Sequence, residues 1–543
     1  MHHLAGISRV AGLLLVSLLS ACGGGGDDDQ SAHTELSTHS IAFSADAPDA
    51  ATPAAQTVTA TFGADIAHLS VLRAGPGIVR VTSSLAGRTA QIRIEPQAPS
   101  SIGTGAFTST VAVTGYVCAD AACSTFAAGN TETVTVKYQV SPIVRYVAPY
   151  VATAETSAAA VIRGKGFQGF ATQGVKFGTV AATSYTVVSD TEIRATYPAL
   201  PAGTYAVQLD IPSHVGPIIS TAELVVLEPI AYSAGVLAYP TAAPAIRSFL
   251  HDAERSSLLV ATNSNGGTIL RYSYAGGAWG APESVPLSEL QDLALSNDGA
   301  QLLAISRTAL TPMDAATLAP GTAVAAPATL PANSFLKNLA VGNDNAALIT
   351  SGIAGSTTTP LYHFAVGATA LNELTTKLDD ATPGVSGDGS IVVLIQGDPS
   401  VTAAPSVVAY TAADNGLAAS GISLKQTAVA PVLDRAATRI ALNGVNVYDS
   451  SFALLGTLPG TTLAVVFSPD GKRAYTYDSR APALLTFDTS KSAAGKAFAQ
   501  LGSAVTLVGA PGTGVKMAIS PDGGTLFFAG STQLVIQPTP VVP

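Results

Sequence analysis

The stretch that most restricts the fold of this chain is Val465-Val466-Phe467-Ser468-Pro469-Asp470-Gly471-Lys472-Arg473-Ala474-Tyr475-Thr476-Tyr477, because it is one copy of a recurring unit. Ser468 suits position i of a type I turn, Pro469 fixes φ at i+1, and Gly471 follows Asp470 where the chain must reverse. Ser520-Pro521-Asp522-Gly523, Ser296-Asn297-Asp298-Gly299 and Ser386-Gly387-Asp388-Gly389 repeat the signal between apolar runs. Each copy reads as a β-hairpin.

Aligning the turn aspartates gives Asp252, Asp298, Asp344, Asp388, Asp434, Asp470 and Asp522, at separations of 46, 46, 44, 46, 36 and 52. A unit of about 44 residues matches the four-stranded blade of a β-propeller, so seven blades are expected over 230–543. Each Asp is followed by an apolar strand such as Ser257-Leu258-Leu259-Val260-Ala261 or Leu526-Phe527-Phe528. Such runs suit strands covered on both faces by neighbouring blades. The last unit lacks a strand after Gln533 to Gln537, and Ala234 to Ala238 is an orphan strand before the first. Pairing the two would close the ring and remove its open edges. Phe467 to Tyr477 and Ile519 to Phe528 resemble the Ser-Pro-Asp-Gly repeats of TolB-type and YVTN-type propellers. The turns at Asp252 and Asp434 lack the Gly and no Trp-Asp dipeptide closes a blade, so the subfamily and a count of six or eight blades stay open. The turn aspartates read as caps of their own turns, since calcium would need several oxygens close together, as in D-x-D-x-D loops.

At 543 residues the chain exceeds what one core supports and should divide into domains. Only 11% of residues are charged, 51 are Gly and 33 Pro, and no long amphipathic helical pattern occurs. This is the composition of an extracytoplasmic all-β protein. The net charge of -10 argues against nucleic acid and against adhesion to anionic lipid, both of which need a basic patch.

The first residues read as a secretory leader: Arg9, an apolar run from Ala11 to Leu19, then Leu19-Ser20-Ala21-Cys22. The last four resemble the lipobox of bacterial lipoproteins. That resemblance implies a signal peptide at 1–21, cleavage before Cys22 and acylation of its thiol, which is a stable anchor. Gly23 stands where inner-membrane lipoproteins usually carry Asp, so the outer membrane is expected. Residues 22–36, with Asp27 to Asp29, read as a tether.

From 37 to 141, seven short alternating strands fit an immunoglobulin-like sandwich and look like the bacterial Ig-like modules of surface proteins. Cys118 and Cys123 are the remaining thiols and are expected to form a local disulfide in an oxidising compartment. From 142 to 229, Pro149, Ile162-Arg163-Gly164-Lys165-Gly166-Phe167, Val175-Lys176-Phe177-Gly178 and Pro201-Ala202-Gly203-Thr204-Tyr205 follow the spacing of the IPT/TIG domain. The resemblance implies a second Ig-like sandwich, with Phe in the core and the Gly-Thr-Tyr strand on the opposite edge, acting as spacer or contact surface. Gly164, Gly166 and Gly169 also satisfy G-x-G-x-x-G, but the following residues read as a strand where a dinucleotide site needs a helix. No cofactor is expected.

The chain has no G-x-S-x-G elbow, no H-E-x-x-H pair and no Gly-Lys followed by Ser or Thr, so no catalytic residue and no metal ligand is assigned. His251 falls in a turn, and His363 reads as a packed strand residue. Tyr272, Tyr274 and Trp279, the only Trp, are the candidate ligand contacts, as a shelf on which a sugar would stack. The expected function is a non-catalytic lipoprotein of two Ig-like spacers holding a propeller that contacts a protein or polysaccharide. The alternative is a propeller enzyme of the lactonase or glycan-hydrolase type, with acidic or His side chains at its axis.

Overall fold

The computed structural model describes residues 33–169, 172–211, 217–241, 244–353, 358–396, 406–411, 416–424, 429–459, 464–478 and 482–542. The leader, Cys22 and most of the tether lie outside the described residues. Nearly every element is a strand; the helical pieces are single turns at Pro99–Ile102 and Ser264–Gly266. No helix among the described residues is long and apolar enough to cross a membrane. The chain divides into two compact units, one drawn from 33–42, 54–97 and 108–137, the other from Phe43–Pro53, Ala98–Phe107 and Tyr138–Pro543.

In the first unit, alternation sets the faces: Val58, Ala60 and Phe62 of Gln56–Phe62 are buried while the residues between them are more exposed. One sheet runs Thr34–Leu36, Gln56–Phe62, Thr89–Pro96, Ile78–Ala86; the other runs Ser40–Ala45, Phe126–Val140, Gly105–Cys118, His68–Ala74. Thr34–Leu36 corrects the tether of 22–36, because these residues pair with Ala60–Phe62 and bury Thr34 and Leu36. Their polar neighbours hid a strand too short to show alternation. Cys118 and Cys123 are disulfide-bonded. Within their loop Asp120 accepts from the Thr125 and Ser124 hydroxyls and from the N–H groups of Ala122, Ser124 and Thr125. These bonds, the Thr125 hydroxyl foremost, hold its carboxyl well below the usual carboxylate range.

In the second unit, 142–229 folds as a five-stranded and a four-stranded sheet around Ile162, Phe167, Phe177, Tyr197 and Leu224. Gly203–Asp210 lies inside its sheet, between Ile218–Leu227 and Gly174–Phe177, and not on an edge. Beyond it come seven antiparallel sheets. Their leading strands are Ile246–Asp252, Leu290–Leu295, Ser334–Val341, Thr382–Val385, Val432–Leu433, Ala464–Phe467 and Lys516–Ile519. Each neighbours the next, and the seventh returns to the first. The seventh sheet takes its outer strand from upstream of the first: Gly235–Ala238 pairs with Gln533–Ile536.

The continuous apolar runs now have a cause. Ser257–Thr262 is buried at all six positions. Leu258 and Val260 join Phe527 and Ile536 of the seventh sheet, whereas Leu259 and Ala261 join Leu302 and Ala304 of the second. A period of two thus feeds two different cores from one strand. Each large apolar side chain so buried stabilises the ring by about 1.5–3 kcal/mol.

The turns that close the leading hairpins share one bonding pattern. Ser296, Ser386 and Ser468 each donate from Oγ to the Asp two residues on, and that Asp accepts the N–H two residues further. Gly299, Gly389, Gly471 and Gly523 donate N–H to the Ser carbonyl at 2.8–2.9 Å. Their φ values of 64–73° suit Gly. The turns are also laced sideways: Arg255 to Gly299 O, Asn297 N to Asn345, Asn343 N to Gly389 O, and Asp388 N to Arg435 O.

Candidate functional site

The repeats differ at the start of their leading strands. In the first three sheets the pairing with the second strand slips by one residue, leaving Arg247, Gln291 and Lys337 as the extra residues of β-bulges. In the fourth and seventh sheets the paired stretch is regular and ends where that bulge would fall. A bulge places two residues against one partner and re-aims their side chains, which is why bulges recur beside functional sites. The residues that follow the bulges are joined to one another: Ser248 donates to Leu293 O, and Asp292 accepts the Leu339 N–H and the Asn338 amide.

Asp292 is the centre of this cluster. Its Oδ1 accepts Leu293 N–H at 2.9 Å; its Oδ2 accepts Leu339 N–H at 3.0 Å and the Asn338 amide at 3.4 Å. Ser248, which also donates to Leu293 O, is a further donor to it. Enclosure by protein pushes the Asp292 carboxyl above its ordinary range against these donors and the opposing charge of Lys516. The side chain keeps partial access to solvent. Asn338 Oδ1 beside it is enclosed without a hydrogen-bond partner. Around the rim, Lys337 Nζ lies 3.0 Å from Asp380 Oδ2, and the Arg307 guanidinium sits 3.9 Å over the Phe335 ring. Arg247 and Lys516 are exposed and make no ion pair among the described residues. The arrangement joins a carboxyl, an amide and a hydroxyl across three neighbouring sheets.

The other end of the leading strands, where the Asp turns lie, is covered by the 142–229 segment. The Tyr150 hydroxyl bonds Arg255 beside Asp252 and Glu254, and lies against Gly299 of the second sheet. Arg435 of the fifth sheet reaches Ala159 O and the Tyr197 hydroxyl, both at 3.4 Å. Arg163, paired with Glu192 at 3.0 Å and buried, faces Asp344 of the third. Thr153 and Leu227 meet Ser520 and Asp522 of the seventh across a crevice of about 20 Å³, room for about one water and no larger ligand.

A family match settles what this cover is. Residues 142–224 are an IPT/TIG domain. No curated protein matches the chain. Among solved structures, Kuenenia stuttgartiensis hydrazine synthase is similar at 13% identity and a TM-score of 0.43, covering 56% of this chain and 98% of that one.

In the TIG domain the three glycines of the apparent dinucleotide fingerprint serve packing. A side chain on Gly164 would strike Ile143 O and the Phe167 ring, and one on Gly166 or Gly169 would strike Thr104. The strands Ala158–Lys165 and Gly174–Phe177 flank them.

Of the proposed stacking shelf, Tyr272 is 1% exposed and its hydroxyl donates to Ala238 O, so it faces the core and not solvent. Trp279 stacks on Tyr232 with centroids 5.4 Å apart, and the Tyr274 hydroxyl bonds Ser233 and Ala231 O. Tyr274 and Trp279, both half-buried, thus hold the strand-free link from the TIG domain against the first sheet. His251 lies 3.1 Å from the Tyr232 hydroxyl and 4.6 Å from the Phe527 ring, and burial pushes its pKa down to about 4. His363 sits on the third strand of the third sheet, opposite Leu348. No cluster of three His, Cys, Asp or Glu able to hold a metal occurs among the described residues. Sequence reasoning missed Asp292, Asn338 and Lys516, for which no motif exists.

Proposed function

We propose that this chain is an extracytoplasmic lipoprotein, anchored through Cys22 in the outer membrane, that binds a protein or glycan without turning it over. On this reading the first unit is an Ig-like spacer and the seven sheets form a seven-bladed β-propeller. The TIG domain closes one end of the propeller, so the binding surface is the opposite mouth. The observation that carries the reading is the bulge repeated in the leading strands of the first three sheets. On this reading the pairs Arg247-Ser248, Gln291-Asp292 and Lys337-Asn338 at those bulges face the ligand, whereas the Asp turns are spent on lacing and on the TIG contact.

The test is capture of a partner from cross-linked envelopes with the full chain and with a Gln291→Ala/Lys337→Ala variant. Loss of the partner from the variant supports the mouth; equal recovery rejects it. Separately, Cys22→Ser should release the protein from membranes.

One observation favours a propeller enzyme instead: Asp292 is an enclosed carboxyl with raised proton affinity, as a general acid requires. Against this, the donors around it bind it to the scaffold. Turnover of any lactone or glycan that is abolished by Asp292→Asn while binding persists would establish the enzyme.

A further inference from the structure

Resting on the reading of Cys22 as a lipid anchor, we infer that the end of the first unit bearing His68, Tyr116 and Phe126 lies in the interfacial layer of the membrane that holds that anchor. The chain enters the fold at this end. Thr34 opens the first strand and is clasped by Asn130: its N–H donates to Asn130 Oδ1 at 2.6 Å, its hydroxyl donates to Asn130 O at 3.1 Å, and the Asn130 amide donates back to Thr34 O at 3.1 Å. Asn130 stands on Phe126–Val140, about 13 Å along that strand from Phe126. A second line of contacts leads to the same place. Gly63 N–H donates to His33 O at 2.8 Å, and at the other end of the same short link Ala67 N–H donates to Tyr116 O at 2.8 Å. Whatever path residues 22–33 take, Cys22 and Thr34 can be no more than about 43 Å apart, so the anchor stays within that reach of this end.

This end presents an apolar surface with few charges. Phe126 is 52% exposed, His68 is exposed and Tyr116 half-buried. The three rings form a row, His68 lying 5.5 Å from Tyr116 and 6.2 Å from Phe126. Between Cys118 and Gly129 the hairpin has one charged residue, Asp120, whose oxygens are taken by five donors of its own loop. Asp65, in the link from Gly63 to Ala67, pairs with Arg88 at 3.3 Å. The disulfide and the Asp120 bonds hold the loop in shape, so little ordering is required when it meets a surface. Rings with a polar edge, such as Tyr and His, favour the boundary between water and lipid tails. The rings are inclined to one another by 50° and 43°, so they offer no flat shelf for the face of a sugar, whereas a fluid interface imposes no plane. Nor does the contact depend on charge: a chain of net charge -10 gains nothing from anionic lipid and relies on buried apolar area. Acyl anchor and aromatic surface together give two attachments, which fix the orientation of the first unit as one alone does not.

The experiment places the full lipidated chain in phosphatidylcholine vesicles whose acyl chains are brominated, which quenches an indole lying in the interface. Two probes are compared, Phe126→Trp at this end and Val79→Trp at the other. Ile78–Ala86 runs between the two ends: Ala86 leads into the turn whose Arg88 O accepts the N–H of Phe62, the partner of Thr34, and Val79, 54% exposed, lies at the far end. Bromolipid is expected to quench the indole of Phe126→Trp by at least about twofold and to leave that of Val79→Trp unchanged, over the constant background of Trp279. Tyr116→Trp is a second probe of the same end and should respond as Phe126→Trp does. Any affinity of the indole itself for lipid would show at both ends alike. Quenching at Val79→Trp as strong as at Phe126→Trp, or quenching at neither, overturns the inference while leaving the anchor in place. A Phe126→Trp signal indifferent to bromolipid but shifted by a soluble glucan or chitin oligomer also overturns it, and makes the rings a sugar site. The anchor is read separately, by sedimentation with membranes: if the parent chain stays as soluble as Cys22→Ser, the anchor falls and the inference with it.

Discussion

Asp292 Oδ2 accepts the backbone N–H of Leu339 at 3.0 Å, so a side chain of the second sheet completes a hydrogen bond for the main chain of the third. Asp292→Ala leaves that donor and the Asn338 amide enclosed and unpaired, and should cost about 1–3 kcal/mol in urea unfolding. Asp292→Asn turns an amide donor against one of the N–H groups that the two carboxylate oxygens accept, and should also cost about 1–3 kcal/mol. An alanine variant as stable as the parent would show that the link contributes nothing.

Gly299 and Gly276 separate steric from backbone effects. Both have positive φ, 67° and 60°, but a side chain on Gly299 would meet Tyr150, whereas one on Gly276 meets nothing within 4 Å. Gly276→Ala should therefore cost only the left-handed penalty of about 1–2 kcal/mol. Gly299→Ala should cost at least about 1 kcal/mol more, and Tyr150→Ala in the same chain should recover part of the difference. Thermal unfolding of the parent chain, Gly299→Ala, Tyr150→Ala and the double variant closes the cycle.

The repeated turns should behave as equivalent structural parts. Ser296 and Ser468 hold their turns by the same bonds, accepting Gln301 N–H at 2.9 Å and Arg473 N–H at 3.0 Å. Each Ser→Ala change should cost about 1 kcal/mol and the double variant about 2 kcal/mol, with ligand binding untouched. A turn that altered affinity without altering stability would contradict this equivalence.

His251 makes the fold acid-sensitive. Its folded pKa is pushed down to about 4, while the unfolded chain takes the proton near its ordinary 6.5. Between those values the unfolded state binds more protons, so this contribution is complete above pH 6.5 and is lost as pH falls toward 4. The loss is at most about 3 kcal/mol. His251→Phe should flatten the fall in unfolding midpoint over that window; an unchanged profile would assign the acid sensitivity elsewhere.

The disulfide closes a short loop, so its removal should have little effect. Cys118→Ser with Cys123→Ser is expected to cost about 2 kcal/mol or less, because few conformations of the unfolded chain are restricted by so short a link. Asp120 keeps its five donors in that variant, and adding Asp120→Ala should release the loop to proteolysis.

What the sequence shows of this molecule depends on whether a signal is local. The Ser-x-Asp-Gly turns are legible because the Ser and Asp side-chain bonds that shape them lie within about five residues, and the apolar second strands because burial on both faces removes alternation. The closing pair Gly235–Ala238 and Gln533–Ile536 follows from counting strands. The bulges at Arg247, Gln291 and Lys337 are not legible, since a bulge is a relation between two strands and leaves no residue signature without Gly. The same is true of Asp292, whose donors come from three sheets. Tyr272 misled because an aromatic on a strand reads alike whether it faces the core or solvent.

The pairing of Gly235–Ala238 with Gln533–Ile536 also fixes an order of events during synthesis. As the chain emerges, the first sheet can form as soon as its strands exist, but the strand just before it must wait, unsatisfied, for a partner about three hundred residues later. Until then both ends of the array are bare edges of the kind that recruit foreign strands. A premature stop anywhere upstream of Gln533 would leave that strand unpaired for good. Gln533–Ile536 thus decide whether the array ends with its first strand paired or as a template for aggregation.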